Sequence, residues 1–208
     1  MDEKTEEKVR ARNVRRIVKA AIAVFSRKGF DGTRIAEIAA TAGLPKANIY
    51  YYFSSKEEIY SAIITQLIAG WDDALSHIRP DREPEEALSA YIRAKLDYSR
   101  RHPEESRLFA GEIIQGARFL TRRDRAHMRS TTEKYVPIVD GWIRDGRVQA
   151  VSPHHLFIML WSMTQFYADF ELLAADALGR KKLKAEDFEE AADTITRTIL
   201  DGLLTPSH

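Results

Sequence analysis

Apolar residues recur at the three- and four-residue spacing of an α-helix along almost the whole chain, and this periodicity limits the fold more than any other feature. Val14, Ile17, Val18, Ala21, Val24 and Phe25 share one helix face. The pattern returns in Tyr60, Ile63, Ile64, Leu67, Ile68 and Trp71, and again in Leu88, Tyr91, Ile92 and Leu96. Strand-like alternation and Asn-Gly hairpin signals are missing. The expected fold is all-α, with about nine helices and no internal repeat. The longest wholly apolar stretch is a few residues, too short to span a bilayer, and the first residues lack the apolar segment of a signal peptide. A soluble cytoplasmic protein is the expectation.

Breaker residues divide the pattern. Gly29 ends the first helix. Thr33 follows Asp31-Gly32 and can cap a second helix over about 33–41, although Glu37 lies four positions on rather than the three of a capping box. Gly43 closes that helix, and Pro45 opens a third over about 45–51. Later helices begin after Ser54-Ser55, at Glu85, at Pro103 and at about residue 121. The last of these is interrupted or bent at Pro137. Ser152-Pro153 starts one long apolar helix through HLFIMLWSMTQFYADFELLAADAL, and Glu186 to Leu204 is the final one, after a basic turn at Gly179-Arg180-Lys181-Lys182.

Charge divides the chain as sharply. Residues 1–56 carry 12 Lys and Arg against 6 Asp and Glu, whereas residues 57–208 carry 20 against 25. A basic end on an acidic body suggests two tasks, the first with a polyanion; a solvated basic face is the plainer alternative. Two short helices joined by Ala42-Gly43-Leu44 after a longer one read as a helix-turn-helix. Lys46, Ala47 and Asn48, then Tyr50, Tyr51 and Tyr52, make a slim start and a donor-rich face suited to a major groove about 12 Å wide. Ile38, Leu44, Ile49 and Phe53 form the apolar side.

The segment AAIAVFSRKGFDGTRIAEIAATAGLPKANIYYYFSSKEEIYSAII resembles the DNA-binding signature of the TetR family of bacterial transcriptional regulators, over about residues 14–65. Pro45 stands where Ser or Thr is common in that family, and Tyr51-Tyr52 where His-Tyr or Tyr-His is common. The resemblance implies that Thr33 and Lys56 contact phosphates, and that Lys46, Ala47 and Asn48 approach base edges or the adjoining backbone. Tyr50, Tyr51 and Tyr52 would divide phosphate, methyl and base contacts among them. Arg10, Arg12, Arg15 and Arg16 would form a basic arm able to enter the minor groove, with a solubilising tail as the alternative for Arg10 and Arg12. The expected domains are 1–53 for DNA and 54–208 for ligand and dimerisation.

AYIRAKLDYSRRHPEESRLFAGEIIQGA and IMLWSMTQFYADFELL are similar to a branch of the family concerned with pyrimidine utilisation. That likeness implies a small planar effector such as a pyrimidine base. On the residues themselves, Trp161, Gln165 and Asp169 recur every four positions on one helix face. Lys95 sits mid-helix among apolar residues, where a lysine needs a partner. Trp71, Lys95, Tyr98, Phe109, Trp161, Gln165 and Asp169 are therefore candidate ligand residues, against an ordinary aromatic core as the alternative. The chain has no Cys, its His residues are scattered or adjacent, and it lacks HExxH, GxSxG, GxGxxG and P-loop spacings. No metal, cofactor or enzyme activity is expected. The expectation is a homodimeric, ligand-responsive regulator that binds a near-palindromic DNA operator, most simply as a repressor. Rivals are an architectural DNA-binding protein with no effector, and a protein that binds only other proteins.

Overall fold

Helix ends in this chain are set by a few local devices, and the computed structural model, which describes residues 3–204, shows each of them. Among the described residues there are ten helices: α1 (Glu3–Gly32), α2 (Ile35–Ala42), α3 (Lys46–Tyr52), α4 (Lys56–Leu75), α5 (Pro84–Arg101), α6 (Pro103–Ile114), α7 (Arg122–Arg144), α8 (Pro153–Asp169), α9 (Glu171–Ala177) and α10 (Ala185–Leu203). The all-α expectation is correct. Extended pairing is limited, among the described residues, to one antiparallel bridge between Val148 and Leu204.

The packing forms two units, residues 1–67 with 107–121, and residues 68–106 with 122–208. They are units of packing and cut across the chain division at 53/54. In the first unit the periodic face of α1 becomes core: Ile17, Ala21, Val24 and Phe25 are all buried, together with Ile38, Ile49, Ile59 and Ile63. Each large side chain so buried contributes about 1.5–3 kcal/mol. Gly29 interrupts α1 at φ 69° and ψ 176°, a conformation open to glycine and costly for other residues. Gly43 ends α2 at φ 62°, its N–H and that of Leu44 returning to the carbonyls of the last α2 turn. Leu44 is only half-buried, while Ile38, Ile49 and Phe53 take the apolar positions assigned to them.

In the second unit α5 packs on α8 and α10. Tyr91, Ile92 and Leu96 of α5 meet a core that includes Trp142, Phe157, Leu160 and Ile199. Two expectations are corrected here. α7 is continuous through Pro137, which is exposed, while Tyr135, Val139 and Trp142 hold the buried face. Conversely, the long apolar helix divides at Phe170 (φ −123°, ψ 41°), giving ten helices among the described residues, close to the nine or so expected. No Gly or Pro marks that break, so it leaves no local trace in the sequence. Phe170 stacks on Phe166 with ring centroids 5.2 Å apart, and both remain exposed.

Candidate functional site

The third helix presents what a groove-reading helix needs. Pro45 precedes it, and Ile49, fully buried, anchors it. That anchor leaves Lys46 and Ala47 exposed and Asn48 half-buried, with Tyr50 49% and Tyr51 73% exposed. The Lys46 ammonium lies 5.6 Å from the Tyr50 ring centroid. Tyr51 stands edge-on to Tyr52 at 4.9 Å. Tyr52 itself turns back towards α1: its hydroxyl accepts a 2.9 Å hydrogen bond from Asn13 Nδ2, and the Arg10 guanidinium covers its ring. The free face of α3 is therefore Lys46, Ala47, Tyr50 and Tyr51, with Asn48 at its edge.

Two of the expected phosphate contacts are turned inward. Thr33 is 2% exposed, and its hydroxyl donates 2.7 Å to the Gly29 carbonyl. It closes the end of α1 instead of facing outward. α2 starts later, at Ile35, and Glu37 accepts from the Arg34 backbone N–H at 3.1 Å, so the acid stands three positions after its actual cap residue. Lys56 Nζ donates to the Phe30 carbonyl at 2.7 Å and the Thr33 carbonyl at 3.0 Å, and lies 4.2 Å from the Phe30 ring centroid. Its donors tie the turn between α1 and α2 to the start of α4. The basic residues at the start of the chain are helical. Arg10, Arg12, Arg15 and Arg16 lie within α1, and Arg16 donates to the Ala42 carbonyl at 2.8 Å, capping the end of α2.

Lys56→Met should therefore lower stability by about 1–3 kcal/mol, the cost of stranding two carbonyls that a charged donor satisfied. It should leave the salt dependence of DNA binding unchanged. Thermal unfolding and a salt titration of DNA affinity check this; an unchanged unfolding temperature with a salt slope flatter by about one would restore the phosphate role.

The candidate ligand residues divide. Lys95 is 2% exposed, with its ammonium 4.6 Å from the Trp71 ring centroid. It makes no hydrogen bond among the described residues. Burial pushes its pKa down to about 7, against the opposing pull of the Asp169 charge. Asp169 accepts a hydrogen bond from the Ser106 hydroxyl. Gln165, one turn earlier on α8, is half-buried and makes no hydrogen bond within the described residues. Tyr98 stacks on His102 at 4.4 Å and lies so close to Gly70 that any side chain there would strike its ring. Burial, then the charges of Glu105 and Asp73, push its hydroxyl up to about 12.

Two candidates are placed differently. Trp161 belongs to the core, its indole N–H donating 2.9 Å to the Tyr91 hydroxyl. Phe109 falls in the first packing unit and the others in the second. Sequence reasoning missed Ser99, Thr164 and Ser106, all 2% exposed or less. Ser99 donates to the Thr164 carbonyl at 3.1 Å, and small hydroxyls in an otherwise apolar helix face were the one available sign.

Among the described residues no helix is long and apolar enough to cross a membrane. Residues 17–63 match the family described as bacterial regulatory proteins, tetR family, and residues 64–206 match the YcdC-like protein, C-terminal region. The HTH-type transcriptional regulator RutR of Escherichia coli is 36% identical over 187 residues, 90% of this chain and 88% of that protein. The HTH-type transcriptional repressor NicS of Pseudomonas putida is 31% identical over 194 residues, 88% of this chain and 90% of that protein. The fold is also that of a crystallised tetR-family regulatory protein from Rhodococcus (TM-score 0.75, 19% identity, 94% of this chain and 98% of that one). With these matches over both halves of the sequence, the chain belongs to the TetR family of bacterial transcriptional regulators, DNA-binding proteins and not enzymes.

Proposed function

We propose that the protein is a cytoplasmic, ligand-responsive repressor that binds a near-palindromic operator as a homodimer, with residues 1–53 as its DNA-binding domain and 54–208 as its effector and dimer domain. The exposed face of α3 carries this reading, because exposed tyrosines beside a lysine offer ring faces, hydroxyls and a positive charge to a nucleic-acid groove. Lys46, Ala47, Asn48, Tyr50 and Tyr51 read the major groove, and a two-fold axis sets two such helices about 34 Å apart on successive turns. The dimer surface is the open face of α8 and α9. Met163, Phe166, Tyr167 and Leu178 line a groove of about 440 Å³ there, beside exposed Ile158, Met159 and Leu173. Apolar area of this kind is normally covered by a partner.

The effector is a small planar metabolite such as a pyrimidine base. Lys95 supplies a buried ammonium beside the Trp71 ring, Gln165 a half-buried amide, Asp169 an acceptor, and Trp71 a flat wall. The relatedness to RutR supports this branch of the family. α4 is one helix from Lys56 to Leu75, so an effector at Trp71 acts on the helix that Lys56 heads.

The test begins with operator selection from genomic fragments, followed by anisotropy titrations. Tyr51→Ala should cost about 1–3 kcal/mol on the selected operator and relax the preference at one position, with little change on random DNA. Wild-type affinity should fall steeply with salt, by a log–log slope of about −0.9 per phosphate contacted. An equal loss on both DNAs would assign Tyr51 to the backbone, and affinity independent of salt would remove the DNA-binding reading.

A further inference from the structure

The start of α7 carries four arginines, Arg122, Arg123, Arg125 and Arg129, and all four are exposed. None of them makes an ion pair or a hydrogen bond among the described residues. Arg122, Arg125 and Arg129 follow one another at three- and four-residue spacing, so they form one stripe along the helix, with Arg123 to its side. Several arginines elsewhere in the acidic part of the chain are matched by carboxylates, Arg79 by Asp81, Arg93 by Asp193 and Arg180 by Asp187. The acids nearest this stripe are engaged otherwise. Asp124 is only 5% exposed. Glu133, one turn beyond Arg129, pairs with His154 at 3.1 Å, and Asp72 of α4 pairs with His127 at 2.6 Å.

Stability does not account for such a stripe. Like charges three and four positions apart on a helix repel one another. Arg122, Arg123 and Arg125 also stand at the first turn, where the positive end of the helix dipole disfavours cations. An outward row of unmatched guanidinium groups is a surface that a polyanion covers. Arginine in place of lysine narrows the choice, because its planar fork meets phosphate oxygens two at a time. Arg122 directly follows Thr121, the last residue of the packing unit that carries α3. The stripe therefore begins one peptide bond after that unit ends in the chain.

We propose that Arg122, Arg123, Arg125 and Arg129 form a second DNA contact, which holds the phosphate backbone of the duplex flanking the operator and reads no sequence. It presupposes DNA binding by the α3 face and lies outside the helix-turn-helix. Phosphate contacts of this kind position a protein on the duplex and add affinity that depends on salt. A duplex carries one negative charge about every 1.7 Å along its axis, so a flank that reaches the stripe offers it several phosphates.

Anisotropy titrations of the full chain test the contact, on a minimal operator duplex and on one extended by about 20 base pairs, roughly two helical turns, at each end. The comparison is a variant carrying Arg122→Gln, Arg123→Gln, Arg125→Gln and Arg129→Gln. These are four exposed changes, and the variant should melt at or above the wild-type temperature. Wild type should bind the extended duplex about tenfold or more tighter than the minimal one at low salt, with a log–log salt slope steeper by about 0.9 per phosphate engaged. The variant should lose that advantage and keep wild-type affinity on the minimal duplex. Identical slopes for wild type and variant on the extended duplex would overturn the contact while leaving operator binding intact. An equal loss on both duplexes would move the arginines to the operator itself. Phosphatidylglycerol vesicles bound by wild type but not by the variant, with unchanged DNA affinities, would assign them to a membrane. Either result overturns flank binding. No binding of wild type to either duplex would remove DNA binding by the α3 face as well.

Discussion

Lys95→Met should raise the unfolding temperature at pH 7 and flatten the dependence of stability on pH above neutrality. The Lys95 pKa falls to about 7 in the folded chain because burial disfavours its charge, against about 10.4 for an exposed lysine. Between those values the unfolded state binds the proton more tightly than the folded state does. Wild-type stability therefore increases as pH rises through this window, by at most about 1.4 kcal/mol per pH unit from this group, and the cost of the buried charge is fully present below the folded pKa. Methionine has a similar length and no charge, so it removes that cost and packs against Trp71. Each kcal/mol recovered is worth about 2–4 °C in a chain of this size. Thermal melts of both proteins from pH 6.5 to 10 measure the difference, which should be largest near pH 7 and vanish towards pH 10. A methionine variant that melts lower than wild type at pH 7 would mean that the attraction of Asp169 outweighs burial.

Gln165→Ala should abolish the response to a pyrimidine while leaving operator affinity without ligand unchanged. Gln165 is half-buried, lies one turn from Asp169 and has no hydrogen-bond partner among the described residues, so its amide is available to a ligand offering both a donor and an acceptor. A buried ligand edge left unpaired costs about 1–3 kcal/mol. The coupling between two sites in one protein is itself about 1–3 kcal/mol, so losing that contact removes most of it. Anisotropy titrations of labelled operator, with and without uracil, compare wild type and mutant. A mutant that responds like wild type would take Gln165 out of the pocket. A mutant that loses operator binding without uracil would make it a structural residue.

The α3 reading in the sequence and the α3 surface in the structure agree because both depend on a single helix. Ile49 is buried and Tyr50 and Tyr51 are exposed because those positions lie on opposite sides of a 3.6-residue turn. Gly29 interrupts α1 and Gly43 ends α2 at positive φ for an equally local reason, the absence of a Cβ. The ends of α5 and the start of α8 follow their prolines in the same way.

Periodicity is silent on where a polar group points once helices meet. Thr33 and Lys56 have the right residue types at the right spacing to touch phosphate, yet both satisfy carbonyls at the end of α1, and Lys56 reaches one that is 26 positions away. Ser106 finds Asp169 across 63 residues, and Trp161 finds Tyr91 across 70. The break at Phe170 has no glycine, proline or cap to announce it. Helix positions, turns and apolar faces are thus legible in the chain itself, because each is settled by neighbours within about four residues along one helix. The partners of Lys56, Ser99, Trp161 and Asp169 were decided only by packing, because a buried donor or acceptor must take whatever group another element brings within hydrogen-bonding distance.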